Sequence, residues 1–483
     1  MSTELPPFLS AFKGDIVTQS HPDYDKAIRR WTKNVERRAK VVAFIKDTND
    51  ASLAIAYARE NNLPIGIMGG GHSAAGASSV EDGLIVDCSR YLNYCQVDAE
   101  KKIGYVGGGS RWETVDRAAY KYGLATVGGT VNDTGVAGLT LGGGLGYLSG
   151  LHGLALDNLL GAHLVLADGK HIYTSAIENP DLFFGIRGGG SNFGVVTEFV
   201  FQLHDQRPMI YGGILKFTQE ALPGIVAASA DYWEVQDPRA CMLQIWGTDH
   251  AGGGKPEISC TVFYSGTETE GRAHFRKFFD CSPVLDTTKE IPYEEANAMT
   301  NHIFTVGLCE YQKGVAHVAQ GNLEVLTQLV DRAAALSAQP GPTIAFTMGF
   351  FPRRPKIMHP AADCAFRRDP HPDINFIATW HDDTPENFAA GRAKVYEMHG
   401  LATKLYAEHG DPKAWELPGY ANVDDEAASS DRSLREAKAR AAFGEAYPKL
   451  QQIKKKYDPE LVFNRWYPII PAQRREIELL CNQ

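Results

Sequence analysis

The stretch Gly69-Gly70-Gly71-His72-Ser73 sets an imidazole at the end of three glycines. Without Cβ atoms the chain can turn at positive φ and bring its main chain against a ligand. Successive N–H groups in such a turn form a concavity that holds an anion. A phosphate loop has no use for the histidine, so the two features need a joint explanation. No Gly-Lys-Ser/Thr follows, which excludes a Walker A loop. Gly69-x-Gly71-x-x-Ala74 fits a dinucleotide fingerprint only loosely, and the following residues open no convincing helix for a pyrophosphate to sit on. Metal ligation lacks a second histidine or carboxylate two or four residues on. Serine-hydrolase chemistry lacks a Gly-x-Ser-x-Gly elbow. Two readings of His72 remain: a hydrogen-bonded turn histidine, or a nucleophile beside an anionic cofactor.

The elements that must hold this turn are short. Residues 63–68 read as a buried strand, and 51–61 as a helix with caps offered by Asn49-Asp50. Strands are expected at 83–87 and 103–106, and a helix at 111–122 with Trp112, Val115, Ala118 and Ala119 on one face. A second glycine field spans residues 127–153, with apolar residues interleaved throughout. That density implies a backbone wrapped against something flat or highly charged. A strand at 162–167 ends in the Asp168-Gly169 turn, and a third glycine turn, 187–194, runs into a strand at 195–203. This is α+β grammar without the long βαβ regularity of a nucleotide fold. Near Pro208 the glycine clusters thin out. Strands at 242–246, 258–264, 343–351 and 373–380 then alternate with helices at 323–338 and 389–409, an antiparallel sheet with helices on one face. A tail from 416 carries a helix at 433–457.

At 483 residues the chain exceeds a usual single core, so two or three domains are expected. A net charge of −10 argues against nucleic acid and anionic membranes as partners. The N-terminal residues lack a basic segment followed by an apolar one, and no apolar run is long enough to span a bilayer. The eight cysteines include no CxxC, which disfavours zinc ribbons and a secreted disulfide framework. A reduced, cytoplasmic protein is the expectation.

Taken in order, six motifs carry a larger pattern: Gly69–Ser73; Val127-Gly-Gly-Thr130; Gly138-Leu-Thr-Leu-Gly-Gly-Gly-Leu-Gly146; Gly153-Leu-Ala-Leu-Asp-Asn158; Ala167-Asp-Gly169; and Arg187-Gly-Gly-Gly-Ser-Asn-Phe-Gly-Val-Val-Thr197. They resemble the FAD-binding half of the vanillyl-alcohol-oxidase and para-cresol-methylhydroxylase (PCMH) flavoproteins, and more narrowly the berberine-bridge-enzyme-like oxidases. The tail residues Tyr420-Ala-Asn422 and Tyr457-Asp-Pro459 to Pro471 agree with that family's C-terminal segment. The resemblance implies an α+β, two-domain FAD-binding PCMH-type fold with an antiparallel-sheet substrate domain. The FAD domain would cover 1–205, the substrate domain 206–415, and the segment 416–483 would return to the FAD domain.

By the same resemblance, His72 is the residue bonded to the 8α-methyl of FAD. The cofactor's other contacts fall on Gly69, Gly70, Gly71, Ser73, Gly128, Gly129, Thr130, Val131, Thr134, Gly135, Gly138, Gly142, Gly143, Asn192, Gly194, Val195 and Asn422. No metal is implied. Val131 stands where many members carry a second flavin-bonded cysteine, so one covalent bond is expected. Thr134 replaces a residue that gates oxygen, and Leu145 replaces a tyrosine of sugar-oxidising members, which disfavours a carbohydrate. Tyr420 is the implied base. A tyrosine titrates near 10 and needs help to accept a proton at neutral pH. Asp373 and Asn375 are two apart on one strand, so they share a face that should look at the flavin. The implied function is hydride transfer from an alcohol, sugar or amine carbon of a small molecule to FAD, with oxygen as final acceptor and hydrogen peroxide as product. A dehydrogenase of the same fold and a flavin-binding protein without turnover are the alternatives. The oligomeric state is not indicated.

Overall fold

The computed structural model describes residues 11–235, 237–249, 255–316, 322–352, 363–368, 373–409, 420, 422 and 432–473. Val41–Phe44 and Leu84–Asp87 are buried along their whole length, as strands covered on both faces must be. They form the middle of a four-stranded sheet, pairing in parallel with each other. Asp15–Thr18 is antiparallel on one edge, and Ile65–Met68 is parallel on the other. The helix Thr48–Glu60 covers this sheet. Its cap differs from the expected Asn49-Asp50: Asp47 accepts the Asp50 N–H at 3.0 Å. Asp50 is instead buried and takes the N–H groups of Lys13, Gly14 and Lys46, which ties the chain's start to the helix.

A five-stranded antiparallel sheet follows, in the order Cys95–Asp98, Ile103–Gly107, Val195–Gln202, Leu159–Val165, His171–Ser175. The helix Trp112–Tyr120 buries Trp112, Val115 and Ala119 as expected, and Asp116 with them.

Residues 209–380 build the largest sheet, all antiparallel. Its main order is Met209–Thr218, Lys255–Tyr264, Ala240–Asp249, Thr343–Phe350, Asp373–Trp380, Cys309–Ala316. Alternate residues such as Met242, Phe346, Phe376 and Tyr311 form one core with the helices Leu222–Val235, Leu323–Ser337 and Pro385–His409. The opposite face carries the intervening residues. Met209–Thr218 and Cys309–Ala316 are additional to the strands expected from the sequence.

The helix expected at 433–457 is two helices. Gly444, at φ +50, turns the chain between Arg432–Phe443 and Tyr447–Tyr457, and a proline opens the second. Lys454 in that second helix is fully buried. Its Nζ pairs with Asp458 at 2.6 Å and donates to the carbonyls of Asn192 and Phe463, each at 2.6 Å. The C-terminal segment is thereby fastened to the third glycine turn.

Candidate functional site

The turn after Ile65–Met68 forms part of the wall of a cavity of about 420 Å³. Gly69, Gly70, Gly71, His72 and Ser73 all line it, as do Gly129, Thr130, Val131, Thr134, Gly135 and Gly138 from the second glycine field. A Cβ on Gly70 would overlap the backbone of Gly135, and the reverse holds as well, so the two main chains touch because both lack side chains. Gly138 has nothing within 4 Å of where its Cβ would stand, which leaves that stretch of wall bare. Among the described residues, the N–H groups of Gly70, Gly71, His72 and Ser73 meet no protein acceptor. Four successive unmet donors suit a ligand rich in anionic oxygens.

His72 stacks on Trp31, with ring centroids 5.1 Å apart at 26°. Trp31 is fixed by its own backbone, donating to the Gly71 carbonyl at 3.1 Å and accepting from Gly307 at 2.9 Å. The Nε2 of His72 lies 3.0 Å from Oδ1 of Asp133 without completing a hydrogen bond. Burial pushes the Asp133 carboxyl up, and the imidazole beside it more than compensates, holding it below the usual carboxylate range.

Tyr420 and Asn422 also line the cavity. The Tyr420 phenolic oxygen accepts the Gly144 N–H at 3.0 Å and the Asn422 side-chain amide at 2.8 Å. Gly142 stands behind Asn422, where a Cβ would overlap its amide. Gly143 makes the same allowance for Phe366, whose ring meets Tyr420 edge-on at 6.3 Å.

The large sheet closes the cavity with the face that its helices leave uncovered. Glu310 and Gln312 come from Cys309–Ala316, Asn375 and Ile377 from Asp373–Trp380, and Thr347 from Thr343–Phe350. Asn375 donates to Oε1 of Gln312 at 2.7 Å, while its own Oδ1 is buried without a partner. Asn34 brackets the Glu310 backbone, accepting its N–H at 2.8 Å and donating to its carbonyl at 2.9 Å. The Glu310 side chain is 5% exposed, and burial alone pushes its carboxyl up to about 8. Among the described residues, no cluster of three or more His, Cys, Asp or Glu could hold a metal.

Six of the expected cofactor contacts stand behind the wall instead of on it. Gly128 packs on Trp112, Gly142 and Gly143 make room for Asn422 and Phe366, and Gly194 lies on the backbone of Val165. Val195 belongs to the core between the two smaller sheets. The Asn192 amide holds the carbonyls of Gly189 and Trp466 at 2.8 and 2.9 Å. Asp373 opens its strand opposite Ala316, and its side chain lies outside the described residues. Four wall or contact residues were not anticipated: Trp31, Asp133, Glu310 and Gln312. Asp133 had a signal, a carboxylate in the same glycine field as Val131. Glu310-x-Gln312 had only the alternation of a strand.

Residues 39–175 match the FAD binding domain family, and residues 419–469 match the family described as berberine and berberine like. The chain thus carries an FAD-binding domain and a berberine-like C-terminal segment. The FAD-linked oxidoreductase pgmH from Aspergillus terreus is 28% identical over 96% of this chain and 95% of its own. The (R)-6-hydroxynicotine oxidase of Paenarthrobacter nicotinovorans is 36% identical, over 44% of this chain and 46% of its own. The crystal structure of 6-hydroxy-D-nicotine oxidase from Arthrobacter nicotinovorans superposes with a TM-score of 0.84 at 24% identity, covering 96% of this chain and 99% of that one. A carbohydrate oxidase from Microdochium nivale superposes at 0.79 with 22% identity, covering 96% and 99%. The PCMH-type fold with antiparallel sheets is that of these flavoproteins. FAD fits this cavity: the bare glycine turn, its unmet N–H donors and the open wall at Gly138 are what a flat, diphosphate-bearing cofactor needs. Among the described residues, no helix is long and apolar enough to cross a membrane.

Proposed function

We propose that this chain is an oxidase that holds FAD through a single covalent bond to His72 and oxidises a small molecule in the cavity under the large sheet. Bound FAD supplies the two-electron acceptor for a hydride leaving an alcohol, sugar or amine carbon, with oxygen as final acceptor and hydrogen peroxide as product. The protein orients the reactants and sets the electrostatics. The N–H groups of residues 70–73 bind the anionic part of the cofactor. Asp133 holds the His72 ring in place from one side and Trp31 from the other. Val131 leaves the flavin without a second anchor. Thr134 lies on the path where oxygen would approach. Two N–H donors on the Tyr420 oxygen stabilise negative charge there, which equips Tyr420 to hydrogen-bond the substrate's reacting O–H or N–H. Asn375, with Asp373 two residues earlier, positions the substrate from the sheet side. Residues 1–205 and 416–483 serve the cofactor, and residues 206–415 the substrate. All described cysteines are unpaired, in keeping with a cytoplasmic location.

The observation that carries this reading is a histidine in a turn whose four amide donors have no acceptor among the described residues. Acid precipitation tests it. Yellow colour should stay with the pellet, intact mass should rise by one FAD, and both should vanish in His72→Ala. Free FAD in the supernatant of the wild-type protein would refute the covalent assignment. Rapid return of the flavin's colour when reduced protein meets air supports an oxidase, and slow return would point to a dehydrogenase.

A further inference from the structure

We infer that Glu310 takes the proton from the substrate's O–H or N–H group, and that the site selects a flat, apolar ring carrying such donors along one edge. The inference rests on the oxidase reading above and names its base and ligand class. Glu310 and Gln312 are two apart on one strand and so share a face. In register, Gln312 pairs with Ile377 and Gly314 with Asn375. The strip Glu310–Gln312–Asn375 therefore runs along two neighbouring strands as a polar seam in one wall. Around it the substrate side is apolar: Trp31, Trp233, Leu243, Phe304, Phe351 and Ile377.

Among the described residues, nothing neutralises the Glu310 carboxylate. From the adjoining turn, Lys33 and Glu36 act on the Cys309 thiol, as does Asp383. On the cavity's other walls, His72 is engaged with Asp133, and Tyr420 with Gly144 and Asn422. Glu310 feels burial alone, which makes its ionised form a strong base close to working pH. Asn375 adds a second acceptor, its unpartnered Oδ1. Both groups ask for hydrogen-bond donors. A polyol would leave most of its hydroxyls unpaired against the apolar wall, at a cost of about 1–3 kcal/mol each. In the step, the heteroatom's proton passes to Glu310 and the carbon's hydride to the bound acceptor. The remaining electron pair forms the carbon–heteroatom double bond, and Glu310 later releases its proton to solvent.

The test uses the flavin-loaded full chain and 4-nitrophenol, whose phenol and phenolate forms differ in colour. Wild-type protein should bind it with an affinity maximum between neutral and mildly alkaline pH. Glu310→Gln should bind at least ~10-fold more weakly at that maximum, the scale of one hydrogen bond to a charged group. Its affinity should follow the ligand's own ionisation alone. Glu310→Asp, which keeps a carboxylate, should retain the maximum and guards against a folding defect in the first variant. The same affinity and pH profile in Glu310→Gln as in wild type would overturn the base assignment. Tighter binding of glucose than of 4-nitrophenol would overturn the ligand class. Flavin content and photoreduction, measured on the same samples, report separately on the oxidase reading.

Discussion

Glu310 also makes a prediction about folding, independent of any ligand. Its carboxyl has an ordinary value of 4.5 and is raised to about 8 by complete burial. Between those values the unfolded chain is ionised at this position and the folded chain holds the proton. Stability therefore falls as pH rises from 4.5 toward 8, and the loss is complete above the folded value. At ~1.36 kcal/mol per unit, the shift corresponds to about 5 kcal/mol as an upper bound, which relaxation and water entry would reduce. Glu310→Gln keeps the shape of the protonated acid and removes the titration. At pH 5 the variant should match wild type within about 1 kcal/mol, since Gln brings one additional donor to a wall that already offers the Asn375 acceptor. At pH 9 it should be the more stable of the two, by several kcal/mol. Urea unfolding followed by the fluorescence of the large sheet's tryptophans, at both pH values, measures the difference of differences and cancels the other titrating groups. A gap between the two proteins that does not change with pH would refute the placement of a lone carboxyl in this wall.

Three further outcomes follow from the same geometry. Gly142→Ala should leave the fold intact but displace the Asn422 amide and with it Tyr420, lowering turnover far more than flavin content; equal loss of both would count against the role given to Tyr420. Asp133→Asn removes the charge beside His72 and should slow covalent attachment while leaving non-covalent flavin binding within a few-fold, read from the ratio of pellet-bound to free flavin during reconstitution. Lys454→Met strands the Asp458 carboxylate and two carbonyls, and should destabilise the protein by about 3–5 kcal/mol in urea unfolding; a change below 1 kcal/mol would show that this buried pair does not hold the C-terminal segment.

What could be read from the sequence follows from where each signal lies. The glycine wall of the cavity was legible because it depends on backbone: glycines cluster where main chains must touch, and Gly70 against Gly135 is such a contact. At Gly128, Gly142, Gly143 and Gly194 the same signal has a packing cause. There the absent Cβ makes room for Trp112, Asn422, Phe366 and the Val165 backbone, and a sequence does not reveal which neighbour a glycine accommodates. The Asn192 amide likewise ties together carbonyls from the third glycine turn and the C-terminal segment, some 274 residues on.

The substrate wall was the harder part, and Cys309–Ala316 shows why. Its pattern, Cys-Glu-Tyr-Gln-Lys-Gly-Val-Ala, alternates as a half-exposed strand does, and the alternation alone does not mark its polar residues as part of a site. Cys309, Tyr311 and Val315 do face the helices, as the alternation implies. The other face meets the cavity that the glycine turns enclose, and Glu310 is as buried as many core residues. Period two tells which residues share a face but not what that face looks upon. Only the pairing with Asp373–Trp380, some 60 residues away, turns an unremarkable glutamate into a buried carboxyl in the cavity wall, solitary among the described residues. A buried ionisable group with no counter-ion costs stability, and folds keep such groups where chemistry uses them. That places the weight of this site on both walls: a histidine turn that the sequence announces, and a buried carboxyl at Glu310 that only the folded sheet brings into view.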